Sequence, residues 1–324
     1  MRRVAAGAAL LIAFIWVWNT SFLATVPEDA STKLLSHRGV HQTFSTEGLQ
    51  NDTCTAERIL PPTHDFIENT IPSMRAAFEE GANVVEVDVH LTPDDQLAVF
   101  HDWTLDCRTE GQGVTEETRM SALKALDVGY GYTADGGSTY PLRGKGVGLM
   151  PTLSEVLDEF PDRKFLINFK SERKQEAEAF AALLDENPTW RKAIFGVFGG
   201  RIPTKESLRL LPGLRGYDKT SSVSCLVRYL AIGWTGVVPA PCRNTLVILP
   251  GNYAWMMWGW PYRFAQRMRN AGSEIVLIGP YHGGGFTSGI DEGHHMSLIP
   301  KDFDGYVWTN RIEVIGPLLN DRDE

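Results

Sequence analysis

The chain has 324 residues, 43% hydrophobic and 22% charged, enough apolar material for one large domain or two small ones. Its formal net charge is −9 and no basic stripe interrupts that acidity, which excludes a nucleic-acid-binding role. An anionic substrate would need positive charge gathered at one place.

Arg2 and Arg3 precede an apolar run over residues 4–18 that continues less cleanly to residue 26. Basic residues ahead of such a run mark a secretory signal or an uncleaved membrane anchor, and residues 1–30 are assigned to that segment. No Ala-x-Ala pattern follows, although Leu23-Ala24-Thr25 would be tolerated, so the reading leans to an anchor. At about 23 residues the run is just long enough to span a bilayer. The leading arginines place residues 31–324 outside the cytoplasm, as an exported periplasmic or extracellular domain with membrane association through the N-terminal segment. Four cysteines in an exported chain allow two disulfides in three pairings. Cys225 and Cys242 lie close together, and Cys54 and Cys107 both sit in polar, loop-like segments, which favours those two pairs.

Beyond residue 32, strand-like stretches at 33–36, 84–90, 97–101, 164–170, 193–198, 214–217, 246–249, 274–278 and 305–309 alternate with helix-like stretches at 70–80, 153–160, 176–185, 222–232, 262–270 and 312–319. This alternation predicts an α/β fold with a parallel sheet, closed as a (β/α)8 TIM barrel. Nine candidates for eight places leave one strand peripheral, and 246–249 is the weakest of them. Residues 40–67 and 129–148 read as long loops.

Glu86-Val87-Asp88 carries the chemistry. In an extended segment Glu86 and Asp88 share one face, while Val85, Val87 and Val89 share the other. The flanking apolar stretches read as buried strands, and two carboxylates facing a buried layer need a cation. Hard oxygen donors suit one Ca²⁺ or Mg²⁺ rather than zinc. With His37, Arg38 and His101 at or near strand ends, the set suits metal-assisted attack on a phosphate ester.

His37-Arg38-Gly39, Glu68-Asn69-Thr70 opening a helix, Glu86-x-Asp88-Val89, Thr92-x-Asp94 and His101-Asp102 together resemble the signature of the glycerophosphodiester phosphodiesterases, relatives of the phosphatidylinositol-specific phospholipase C barrels. Leu105-Asp106-Cys107-Arg108-Thr109, Pro151-Thr152-Leu153 and Trp308-Thr309-Asn310 resemble later landmarks of that family. The resemblance implies that His37 and His101 act as general acid and base and that Glu86 and Asp88 bind one divalent cation. A histidine with a pKa near 6.5 can both take and give a proton near neutrality, and Arg38 would hold a phosphate oxygen through its guanidinium fork.

The chain departs from the family pattern in three places. Asn168-Phe169-Lys170 stands where Glu-x-Lys is usual, so Asn168 is expected as the third metal ligand, Lys170 as a phosphate contact and Glu172 as a helper carboxylate. An insert containing Cys54 lies between Gly39 and Glu68. The tryptophan-rich stretch 255–260 does not align; barrel-helix core and a lipid-touching surface are its two readings. Asn69 is read both as the cap of the helix from Thr70 and as a substrate or metal contact. His90 lies near the site, His41 and His64 read as surface residues of the insert, His294-His295 as a solvated loop, and His282-Gly283-Gly284-Gly285 as a loop rather than a phosphate cradle.

The expected activity is metal-dependent hydrolysis of glycerophosphodiesters to sn-glycerol 3-phosphate and an alcohol. A lysophospholipase D acting on lysophospholipid headgroups and a non-catalytic headgroup binder are the alternatives, the latter disfavoured by both histidines.

Overall fold

In chain order the elements are α1 (Arg2–Asn19), β1 (Lys33–His37), α2 (Ile71–Glu79), β2 (Ala82–Leu91), β3 (Leu97–Val99), α3 (Met120–Leu123), α4 (Leu153–Glu159), β4 (Lys164–Phe169), α5 (Lys174–Glu186), β5 (Ile194–Gly199), α6 (Arg201–Leu210), β6 (Gly216–Tyr217), α7 (Lys219–Ile232), β7 (Leu246–Pro250), α8 (Tyr262–Asn270), β8 (Glu274–Ile278), β9 (Tyr306–Thr309) and α9 (Ile312–Asp323). The structure is a computed structural model, and residues 2–50, 52–283 and 288–323 of it are described. Eight strands run parallel in the order β6-β5-β4-β2-β1-β9-β8-β7, with helices between them: the (β/α)8 barrel expected. β6 and β7 form the seam, crossed by Thr245 Oγ1 donating to Gly216 O at 2.7 Å.

The peripheral strand is β3, which pairs antiparallel with β2. It folds back on β2 alone and so takes no barrel position, while 246–249, the weakest candidate in sequence, is a true barrel strand paired over five residues with β8. Its burial on both sides erases the alternation that marks a half-exposed strand.

Period-2 alternation along β2 sorts its side chains. Val85, Val87 and Val89 join the layer between sheet and helices, each contributing about 1.5–3 kcal/mol by burial. Val84 joins Leu35, Leu166, Phe195, Leu246, Val276 and Trp308 in the barrel interior. Glu86, Asp88 and His90 follow on the same face, all fully buried. Apolar packing thus fills one end of the barrel, and charge occupies the other.

A third apolar cluster, including Ile59, Ile67, Phe100, Leu105, Tyr132 and Met150, lies under the insert and the loop after β3. The disulfide Cys54–Cys107 fastens these two segments together, and Cys225–Cys242 ties α7 to the segment before β7, the two pairs expected.

At the N-terminus the structure corrects the spanning anchor. Helix α1 has 18 residues, about 27 Å at 1.5 Å per residue, and the chain then breaks into a tight turn at Ser21–Leu23. Arg267 holds the helix end on the barrel by donating to Trp18 O at 3.0 Å and Asn19 Oδ1 at 2.9 Å. Among the described residues no helix is long and apolar enough to cross a membrane.

Candidate active site

The carboxyl ends of β1, β2, β4 and β9 converge on Glu86 and Asp88. At the end of β1 the chain turns through left-handed backbone at Arg38 (φ 59°) and Gly39 (φ 79°). A Cβ at residue 39 would stand 2.5 Å from Ser73 Oγ, so glycine alone fits. The turn aims Arg38 inward: Nε ion-pairs with Asp88 Oδ2 at 3.0 Å and Nη1 with Glu68 Oε1 at 2.9 Å.

Asn69 does not cap the helix. Thr70 does, in a reciprocal pair with Ser73. Asn69, itself left-handed (φ 59°), grips Asp88 twice, donating from Nδ2 to Oδ2 at 2.9 Å and accepting from the Asp88 N–H at 3.1 Å. Asn168 Nδ2 donates to Asp88 Oδ1 at 2.8 Å, and Lys170 Nζ lies 3.5 Å from the same oxygen. Burial opposes the charge on Asp88, but Arg38 and then Lys170 outweigh it and hold the carboxyl well below its usual range.

Glu86 is the opposite case. Both its oxygens are buried without a hydrogen-bond partner, and His37 Nε2 lies 3.8 Å from Oε2. Burial, and then the charge of Asp88, push its pKa well above the carboxylate range. Two bare carboxylate oxygens beside a second carboxylate suit a hard divalent cation, and Glu86, Asp88 and the amide oxygen of Asn168 are the donors that would hold it. In this rotamer Asn168 presents its amide nitrogen to Asp88, so ligation needs the amide turned over. Glu172 is no helper: exposed, it accepts from the Arg201 and Ile202 N–H groups at the start of α6.

The two histidines flank the carboxylates with their tautomers fixed. Asn310 Nδ2 donates to Asp291 Oδ2 at 2.8 Å, so its carbonyl oxygen faces His37 Nδ1 at 2.6 Å. That oxygen accepts only, which puts the proton on Nδ1 and a lone pair on Nε2. His101 Nδ1 donates to Asp102 Oδ1 at 2.5 Å, again freeing Nε2. Burial pushes His37 well below its ordinary pKa; burial, then Arg38 and Lys170, push His101 down to about 4.

Behind His101 runs a chain of alternating charge. Asp102 Oδ2 pairs with Arg108 Nε at 2.9 Å, Arg108 Nη1 with Glu68 Oε2 at 3.0 Å, and Glu68 with Arg38. Arg108 is 2% exposed and also donates to Tyr132 Oη and Thr55 Oγ1. Sequence reasoning quoted Asp102, Arg108, Glu68 and Asn310 in motifs without roles, and it missed Asp291, which no local pattern marks.

The remaining histidines divide. His41 is not on the surface but buried, its ring 5.9 Å from that of His37. His64 is half-buried under Gln42, His90 fully buried, and His294 exposed. In the tryptophan-rich stretch Met257 is buried and Trp260 packs on Phe264 and Phe303, as the core reading expects, while Trp255 is 73% exposed. Gly284 and Gly285 of the glycine-rich stretch lie outside the described residues.

Residues 37–194 match the Glycerophosphoryl diester phosphodiesterase family. A glycerophosphodiester phosphodiesterase of Caldanaerobacter subterraneus is 37% identical over 103 residues, 32% of this chain and 39% of that protein. One of Bacillus subtilis is 38% identical over 96 residues, 29% of this chain and 31% of that protein. The matched stretch thus spans about two fifths or less of these relatives' own length. The barrel superimposes on the glycerophosphoryl diester phosphodiesterase domain of a Mycobacterium tuberculosis protein with TM-score 0.62 at 15% identity, covering 90% of this chain and 99% of that one. It also superimposes on an Oleispira antarctica phosphodiesterase in complex with the product sn-glycerol-3-phosphate, with TM-score 0.54 at 18% identity and coverage of 92% and 98%.

Proposed function

We propose, for a chain that belongs to the glycerophosphoryl diester phosphodiesterase family, that this site hydrolyses glycerophosphodiesters to sn-glycerol 3-phosphate and an alcohol. The observation that carries the proposal is the pair of histidines held through Nδ1 so that each offers Nε2 beside Glu86, Asp88 and Arg38. A binder needs neither proton-transfer group. The Oleispira phosphodiesterase, with its sn-glycerol-3-phosphate product, supports the same substrate class.

The roles follow from the partners. Asn310 is neutral and leaves His37 a neutral imidazole with a free lone pair, suited to take the proton of the attacking nucleophile. Asp102 is a carboxylate and favours the imidazolium of His101, suited to protonate the departing alkoxide. Burial, and then Arg38 and Lys170, hold the His101 pKa down in the free protein; a phosphodiester anion paired with the two cations offsets their part and so favours the protonated ring as substrate binds. One Ca²⁺ or Mg²⁺ held by Glu86, Asp88 and Asn168 would supply Lewis-acid polarisation of the phosphate. Residues 1–30 serve as the secretion signal of an exported protein, a reading that the two disulfides support.

The test is release of choline and glycerol 3-phosphate from glycerophosphocholine by the full chain. EDTA should abolish turnover, Mg²⁺ or Ca²⁺ should restore it, and His37→Ala or His101→Ala should each lower it at least about 100-fold. No turnover with either cation would defeat the proposal. Preference for lysophosphatidylcholine would move the substrate to the lipid-headgroup alternative.

A further inference from the structure

We propose that His90, Glu116 and Glu176 form a second metal site, separate from Glu86 and Asp88, that binds a divalent ion of the zinc class. One ligand atom from each lies within 4.8 Å of those of the other two. His90 and Glu176 are fully buried, and Glu116 is half-buried at the edge of the cluster. They come from the end of β2, the turn Thr115–Glu117 and the first turn of α5, segments well apart in sequence.

Each ligand has one atom fixed from outside and one left for the centre. His90 Nε2 faces the His101 carbonyl oxygen at 3.4 Å, which puts its proton there and a lone pair on Nδ1. That lone pair faces Glu116 Oε1 at 3.3 Å, a repulsive contact unless something positive joins them. Two ligands of one tetrahedral zinc ion at about 2.0–2.1 Å stand about 3.4 Å apart. Glu116 Oε2 is held by Arg173 Nε at 3.1 Å. Glu176 Oε2 accepts from Ser171 Oγ at 2.8 Å and from its N–H at 3.3 Å, while Glu176 Oε1 is buried with no partner.

A proton on His90 Nδ1 would repair only the contact with Glu116 and leave Glu176 Oε1 bare. A cation satisfies all three groups. Two carboxylates against Arg173 leave one negative charge, so a dication gives the pocket a single positive one. One imidazole with two carboxylates is a borderline donor set that favours zinc over the Ca²⁺ or Mg²⁺ suited to an all-oxygen site. The outer partners do what such partners do in metal sites, fixing the tautomer and orienting the carboxylates. Ligation would also brace the catalytic segment, because His90 bonds the His101 carbonyl and Thr115 Oγ1 bonds the Asp102 carbonyl at 2.8 Å.

The experiment strips the full chain carrying Glu86→Gln with chelator and titrates it with Zn²⁺ by calorimetry. One Zn²⁺ per chain is expected, with Kd raised at least about tenfold when His90→Gln or Glu176→Gln is added. Co²⁺ in place of Zn²⁺ should give a visible absorption band that the same substitutions remove. Glu116→Gln, on a turn at the edge of the pocket, tests the ligand set without entering the core and should weaken binding likewise. Absence of Zn²⁺ binding in the Glu86→Gln chain, or binding unchanged by both Glu116→Gln and Glu176→Gln, overturns the proposal. Neither result touches the phosphodiesterase reading, which activity with Ca²⁺ or Mg²⁺ decides.

Discussion

His37 and Asp291 are joined only through Asn310, yet Asp291 decides which nitrogen of His37 carries the proton. Asn310→Ala should therefore lower kcat about tenfold or more with little change in KM, because the imidazole can rotate and change tautomer; unchanged kcat would show that His37 is oriented by other contacts. Asn168→Glu should tighten Ca²⁺ at least about tenfold, since ligand charge tunes affinity for hard cations. Equal affinities in calorimetry would place residue 168 outside the coordination set. His101 makes a pH prediction. Burial, Arg38 and Lys170 hold it near 4 in the folded chain, whereas an unfolded histidine takes its proton near 6.5. Between those values the unfolded state binds more protons, so the folded state loses stability as pH falls through the window, by about 3 kcal/mol in all. Glu86, raised by burial and Asp88, acts in the opposite direction. The readout is accordingly the difference between wild type and His101→Gln in urea unfolding of metal-free protein at about pH 7.5 and about pH 4, and identical pH dependence would refute the assignment. Glu86, Asp88, His37 and His101 were legible in the sequence because strand alternation and short motifs carry them. Asp291 was not, since its effect passes through Asn310 to a residue 273 positions from that asparagine, a contact that exists only after folding.

At the scale of elements, the turn from β1 carries the site. Gly39→Ala would press a Cβ against Ser73 Oγ and the Ser73 backbone carbon, 2.5 and 2.7 Å away, in a left-handed conformation. Gly48 is also left-handed (φ 64°) but has open space around it. Gly48→Ala should cost about 1–2 kcal/mol for the conformation alone, and Gly39→Ala distinctly more, with activity lost as Arg38 and Asn69 shift. Equal falls in Tm would mean that the contact with Ser73 relaxes freely. The strands and helices were legible where hydrophobic period and caps agree, as in β2 and in α4 with its Thr152–Glu155 capping box. β7 was obscured by its burial on both faces and by Pro250 at its end. The length of α1 was overread because apolar composition continues past Asn19, whereas the helix does not.

Taken whole, the molecule sets a net charge of −9 against a few buried cations around one carboxylate. Arg38 and Lys170, the groups suited to phosphate, are engaged by Asp88 in this structure. Asp88 can serve a dication only by loosening its hold on them, and they can serve an anion only once that hold is loosened. Cation and anion are therefore thermodynamically coupled: each should raise the affinity of the other by the same factor. Glycerol 3-phosphate titrated with and without saturating Mg²⁺, and Mg²⁺ with and without glycerol 3-phosphate, should give one common factor, about 5–150-fold for a coupling of ordinary size. A factor of one would mean that Asp88 releases nothing. A factor in that range would make the pairing of Asp88 with Arg38 and Lys170 a lock that neither ion opens well alone.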